Sequence, residues 1–185
     1  MNPSNPALRA FLPAIQTQPR SPEALNRLTD AMSLETSPRY AIRDTTGDGK
    51  VDTFCNIALW DWSRGMGAEI PHWVDASGNP AEPFAAGAHE LSANNTARWL
   101  AMHGPRFGWN MATKAQARVY ALAGKPACVT WINPTGASGH VAWLRGNQPD
   151  PGVIRTAQAG KVNFSNGTLA QGFGSAGPVA FWIHE

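Results

Sequence analysis

The sequence predicts an α+β fold in which helices come first and an antiparallel sheet of about four to six strands follows. Three observations predict it. Apolar residues recur at helical spacing in several runs up to about residue 123, the period then becomes strand-like, and the later runs are short and separated by Pro- and Gly-containing turns.

Taken in order, residues 6–16 carry Leu8, Phe11, Leu12 and Ile15 at helical spacing, with Pro13 interrupting. Ser21-Pro22 reads as an N-cap followed by proline at the first helical position, and Leu25, Leu28 and Met32 line one face of the helix it opens. Residues 39–42 are expected as a short strand, and residues 44–52 as a turn in which Gly47 and Gly49 are free to take positive φ. The apolar run from Cys55 to about Met66 reads as a buried helix, capped by Asp52 or Thr53 and stopped by Gly67. Residues 71–93, rich in Pro, Gly, Ala and Asn, are expected as a long surface loop of the kind that lines a groove. Helices are expected over residues 96–102 and 113–123, the second with Thr113 as cap and Gly124 past its end. Strands are expected over 127–132, 140–145, 153–157 and 179–184. The organisation is an amino-terminal helical extension, residues 1–38, and one unit over 39–185.

Bulk properties narrow the function. A chain of 185 residues suits a single core, and 15 basic against 13 acidic residues leave a formal charge of +2, with no basic run to grip nucleic acid. No stretch is long and apolar enough to span a membrane, and the start lacks a charged segment leading into an apolar one, so no membrane partner is expected and a protein made in the cytoplasm without a Sec-type signal is. Two cysteines are too few for a disulfide scaffold; Cys128 sits in an apolar β-rich run as a buried structural thiol. The eight tryptophans are expected mainly in the core, with Trp60, Trp62, Trp73 and Trp109 also placed to wall a cleft. His72, His89, His103 and His184 show no ligand spacing for zinc, and Asp61 and Glu69 are expected to be solvated.

Chemistry concentrates at Cys55. A thiol in the first turn of a helix is where a thiolate is favoured. A nucleophilic cysteine also needs an imidazole to take its proton and a polar group to orient that imidazole. His140, opening the strand-like Gly-His-Val-Ala-Trp run, supplies the imidazole. The orienting group should lie on the next strand, and Gln158 is the polar residue near the end of that run, with Asn163 the second choice.

This ordered trio, a helix-opening cysteine, a Gly-His-Val strand and a polar residue on the following strand, resembles the CHAP and NlpC/P60 superfamily of cell-wall cysteine hydrolases over about residues 40–185. The resemblance implies a papain-like fold and cleavage of an amide or peptide bond of bacterial peptidoglycan through an acyl-thioenzyme. It implies Cys55 as nucleophile, His140 as general base then acid, and Gln158 as orienting residue, with the backbone N–H of Cys55 forming part of the oxyanion hole. It departs from the family at the third position, which is commonly an acid, an asparagine or a second histidine. Peptidoglycan is the expected partner of a monomer acting at the cell wall or periplasm after release or delivery, and a secreted effector of this type would have an inhibitor (immunity) protein. The other readings are a non-enzymatic calcium-stabilised binding module and a papain-like deamidase or protease toxin acting on protein.

The segment before Cys55 adds a metal expectation. Numbered as a twelve-residue calcium loop, it places Asp44, Thr46 and Asp48 at the first, third and fifth positions, Gly49 at the sixth, the Lys50 carbonyl at the seventh and Asp52 at the ninth. Position twelve, where a bidentate glutamate belongs, is Cys55. The expected ion is a structural Ca2+ that cancels the carboxylates upstream of the thiol. Some CHAP-type lysins resemble this arrangement. The competing expectation is an Asx-rich turn satisfied by its own backbone.

Overall fold

The computed structural model describes residues 20–45, 47–174 and 176–185. The expected helix over 6–16 lies outside these residues. Five α-helices, α1 (Pro22–Ala31), α2 (Cys55–Gly65), α3 (Ala93–Met102), α4 (Lys114–Leu122) and α5 (Leu169–Phe173), accompany eight strands. The strands are β1 (Trp73–Val74), β2 (His89–Glu90), β3 (Trp109–Ala112), β4 (Ala127–Trp131), β5 (His140–Leu144), β6 (Arg155–Ala159), β7 (Asn163–Thr168) and β8 (Ala180–His184). β1 and β2 pair with each other; the other six form one antiparallel sheet in the order β3-β8-β4-β5-β6-β7.

Strand alternation sorts the sheet's residues between two cores. Cys128, Val141, Trp143, Ala157, Ala159 and Trp182 pack with apolar residues of α1, α2 and α3. Val129, Ala142, Leu144, Phe181 and Ile183, their neighbours along the same strands, pack with Ala117 and Ala121 of α4 and Phe173 of α5. The sheet is therefore a middle layer covered on both faces, which explains why its central strands β8, β4 and β5 read as nearly continuous apolar runs.

Helix α1 belongs to this same body. Ser21 caps it through Ala24 N–H, and Leu25 and Leu28 enter the core of α2. Thr29 accepts a hydrogen bond from Trp143 Nε1 at 3.0 Å, and Asp30 pairs with Arg145. Trp62 of α2 stacks on Trp143 with centroids 5.5 Å apart.

Several expectations are corrected. Residues 39–42 form no strand, 39–40 being turn and 41–42 irregular, because the Arg39 guanidinium grips Asp61 at 2.6 and 2.9 Å and Tyr40 Oη donates to the same carboxylate at 2.8 Å. Asp61 is thus buried and paired, not solvated; the short bridge forms instead between Arg43 and Asp52. α3 begins at Ala93, ahead of the expected start, because Ser92 caps it by accepting from Asn95 N–H. Asn94 and Asn95 are poor helix formers that look like loop in the sequence. α2 ends as expected, with Gly67 at φ +63 two residues past Gly65.

Candidate active site

Cys55 is the first residue of α2, and its N-cap is Phe54, which provides no side-chain cap. Neither Asp52 nor Thr53 fills that role, since Asp52 turns away to accept from the backbone N–H (3.0 Å) and the hydroxyl of Thr45. The open helix end leaves N–H groups to act on the sulfur. The backbone N–H groups of Val141, Asn56 and Cys55 itself lie near enough to the sulfur to favour its charged form. The Val141 contact matters most for architecture, because it brings the sulfur to the peptide that directly follows His140.

β5 presents Val141 and Trp143 to α2, so His140, one residue earlier, belongs to the opposite face with Ala142 and Leu144. The thiol therefore lies on one face of the sheet, near the Val141 peptide, and the imidazole on the other, at the open beginning of the same strand. The His140 ring lies 4.8 Å from the Phe173 ring, tilted by 53°. Its Nε2 is 2.6 Å from Gln158 Oε1. The amide nitrogen of Gln158 donates to Val162 O at 2.9 Å, which leaves the amide oxygen as acceptor for the imidazole. The neutral ring therefore carries its proton on Nε2, and Nδ1 has the lone pair.

Among the two orienting candidates, the structure pairs Gln158 with the imidazole and uses Asn163 elsewhere. Asn163 Nδ2 donates to Leu34 O at 3.0 Å and Tyr40 O at 2.8 Å, holding the segment before the acidic loop against β7. Gln158 is 3 % exposed, so its bond to His140 is sheltered from competing water.

Electrostatics favour a neutral resting pair. Burial pushes the Cys55 thiol up from its ordinary value, against the downward pull of the N–H groups around it. Burial lowers the His140 imidazole, and the Gln158 hydrogen bond opposes that shift only in part. The expected low-lying thiolate is not what this arrangement favours: the helix end helps, but removal from water dominates.

Other residues hold the pieces in place and were not evident in the sequence. Asn56 Nδ2 donates to Leu91 O at 2.8 Å, tying the end of the 71–93 segment to the first turn of α2. Asn94 accepts from Asn133 N–H and donates to Ala137 O, both at 2.9 Å, bracing the loop that delivers His140. A Cβ at Gly139 would collide with Asn94 Oδ1 and Trp131 O, and one at Gly160 would come within 2.8 Å of His140 Cε1. A Cβ at Gly172 would strike Gln158 Oε1. The glycines were visible signals, but their proximity to His140 and Gln158 arises only when β5, β6 and α5 are brought together.

In the acidic loop the carboxylates engage the loop's own backbone. Asp44 accepts from Gly47 N–H at 2.6 Å and Gly49 N–H at 2.8 Å, and Asp48 accepts from Lys50 N–H at 2.9 Å. Gly47 and Gly49 take φ of +77 and +79, as the turn requires. Thr46 lies outside the described residues. Among those described, no three His, Cys, Asp or Glu side chains converge as a metal site. Cys55, at the twelfth position, is buried in the core with Val141.

Comparison of the chain with family models, curated proteins and solved structures yields no match. No helix among the described residues is long and apolar enough to cross a membrane.

Proposed function

We propose that this protein is a cysteine hydrolase that cleaves an amide or peptide bond of bacterial peptidoglycan through an acyl-thioenzyme. The observation that carries the reading is the bond of His140 Nε2 to Gln158 Oε1 at 2.6 Å, at the start of the strand whose next residue, Val141, shares a core with Cys55. A nucleophile, a base with its basic nitrogen left available and an orienting amide come from three separate elements, in the roles this chemistry needs.

The residues' roles follow from that geometry. His140 Nδ1 takes the Cys55 thiol proton as the sulfur attacks the scissile carbonyl, forming a C–S bond and an oxyanion. The uncapped amides at the start of α2 face the region where that negative charge develops. Collapse of the tetrahedral species breaks the C–N bond, and the imidazolium returns its proton to the leaving amine. Water, deprotonated by His140, then cleaves the thioester and restores the thiol. Gln158 keeps Nε2–H in place throughout without adding a charge, and its hydrogen bond supports the basicity of the imidazole without the ionic stabilisation that a carboxylate would add.

Because both groups rest neutral, catalysis proceeds by concerted general-base assistance rather than from a stored thiolate. Calcium enters the proposal in a structural role only. Asp44, Asp48 and Asp52 and the Lys50 carbonyl are the donors described that would hold it, with Thr46 the remaining one, and no chemical step involves it.

Cys55→Ala is expected to abolish lysis of purified cell walls while circular dichroism and melting stay as in the unaltered chain. Lysis by that variant would end the proposal. Hydrolysis of protein amides with intact walls left untouched would favour the toxin reading instead.

A further inference from the structure

The face of the sheet that carries His140 also carries a cavity of about 640 Å³ between α4, α5 and the segment leading into β8. This is within the range of roughly 300–1,000 Å³ typical of small-molecule sites. Its walls are aliphatic, formed by Ile154, Leu169 and Val179 among others, and Phe173 is shared: the same ring that closes this cavity touches the His140 imidazole. Among the described lining residues, Lys114 is the only ionisable side chain.

Lys114 is placed where a cation is least expected on grounds of helix stability. It opens α4, so its charge adds to the positive end of the helix dipole instead of offsetting it. Its Nζ lies 3.4 Å from Gly152 O, which occupies one of three N–H directions. Among the described lining residues this apolar trough has one cation and no acid, the neighbouring Asp150 carboxylate accepting from Gly152 N–H at 2.7 Å, and it complements a ligand that is aliphatic along its length and anionic at one point.

We propose that this cavity binds a short peptide arm of the substrate, with small aliphatic side chains against Leu169, Phe173 and Val179 and a free carboxylate on Lys114. It rests on the hydrolase reading in one respect, the assignment of that arm to the wall's stem peptide. Phe173 couples the two sites physically, since a peptide lodged against one side of its ring is held next to the imidazole on the other.

The test uses the Cys55→Ala chain, so that binding is read without turnover, and N-acetyl-D-alanyl-D-alanine as the free acid and as the carboxamide. Titration followed by NMR is expected to move the resonances of Leu169, Phe173 and Val179, with the acid binding about three- to fivefold more tightly, the scale of an exposed ion pair. Lys114→Gln is expected to erase that difference. Ala170→Trp, at an exposed position on the cavity wall, is expected to abolish binding of both forms. Equal binding of acid and amide, or shifts confined to other residues, would overturn the proposal. So would saturable binding of decanoate that survives Lys114→Gln while the dipeptide fails to bind, since the occupant would then be an alkyl chain. Wall lysis is scored separately with the unaltered chain. Lysis without cavity binding removes this proposal alone, whereas cavity binding without lysis removes the hydrolase reading and leaves the peptide site standing.

Discussion

At the residue scale, burial sets the pH behaviour of the site and Gln158 opposes its effect on His140 in part. Burial lowers the His140 imidazole below its ordinary value of 6.5, so the acid limb of kcat/KM is expected below that value. Burial also raises the Cys55 thiol above 9.0, which places the alkaline limb higher than for an exposed thiol. Gln158→Glu would put a carboxylate 2.6 Å from Nε2, stabilise the imidazolium and move the acid limb upward. A pH–rate profile checks this; an unmoved limb would show that Gln158 does not hold the working imidazole. The same His140 shift has a consequence for stability. Between the lowered folded value and 6.5 the unfolded chain binds more protons, so this group's contribution is full above 6.5 and is lost as pH falls through the folded value. Cys55, His140 and Gln158 were legible as candidates because each stands at a recognisable place: a helix start, a strand start and the next strand. The choice between Gln158 and Asn163 was not legible, since it depends on which side chain reaches the ring across the β6–β7 pairing.

At the scale of elements, the site depends on loops that hold still. The segment from Asn133 to Gly139 delivers His140, and Asn94 at the start of α3 grips it at both ends. Gly139→Ala is expected to force that grip open, at about 1–3 kcal/mol for overpacking. At roughly 2–4 °C per kcal/mol for a chain of this length, differential scanning calorimetry should register a drop of several degrees, together with lost wall lysis. A variant with unchanged melting and activity would show the contact to be dispensable. The acidic loop upstream of α2 calls for a different measurement. If calcium binds there, as proposed, EGTA is expected to lower the melting temperature and calcium to restore it; coincident melting curves would leave a self-satisfied Asx turn. The loop's composition identified it as a turn, because Gly and Asp encode local geometry. Its relation to Cys55 was not legible: Asp52 or Thr53 is the cap that the sequence suggests for α2, yet Asp52 closes onto Thr45 and Phe54 takes the cap position.

At the scale of the whole molecule, the two-faced sheet does the positioning. Trp62, stacked on Trp143, is the largest of the α2 side chains that seat the helix on the face of the sheet carrying Val141. Trp62→Ala is therefore expected to cost about 3–5 kcal/mol, a large share of the roughly 5–15 kcal/mol that holds a domain together, with denaturant midpoint as the readout. A loss under 1 kcal/mol would mean the stack is not what seats the helix. The α+β class, the helix at Cys55, the cap and stop of α4 and the strands around His140 and β8 were determined by the sequence alone, because period, capping and turn residues act over a few neighbours. β3 and β7 were missed: the short run Trp109–Ala112 and the polar run Asn163–Thr168 become strands only by pairing with β8 and β6. Tertiary structure alone decided that α1 shares the core of the candidate domain, that Asp61 is buried against Arg39 and Tyr40, and that thiol and imidazole lie on opposite faces of one sheet. The reason is physical: burial, and the hydrogen bonds that burial protects, are set by contacts between residues far apart in the chain.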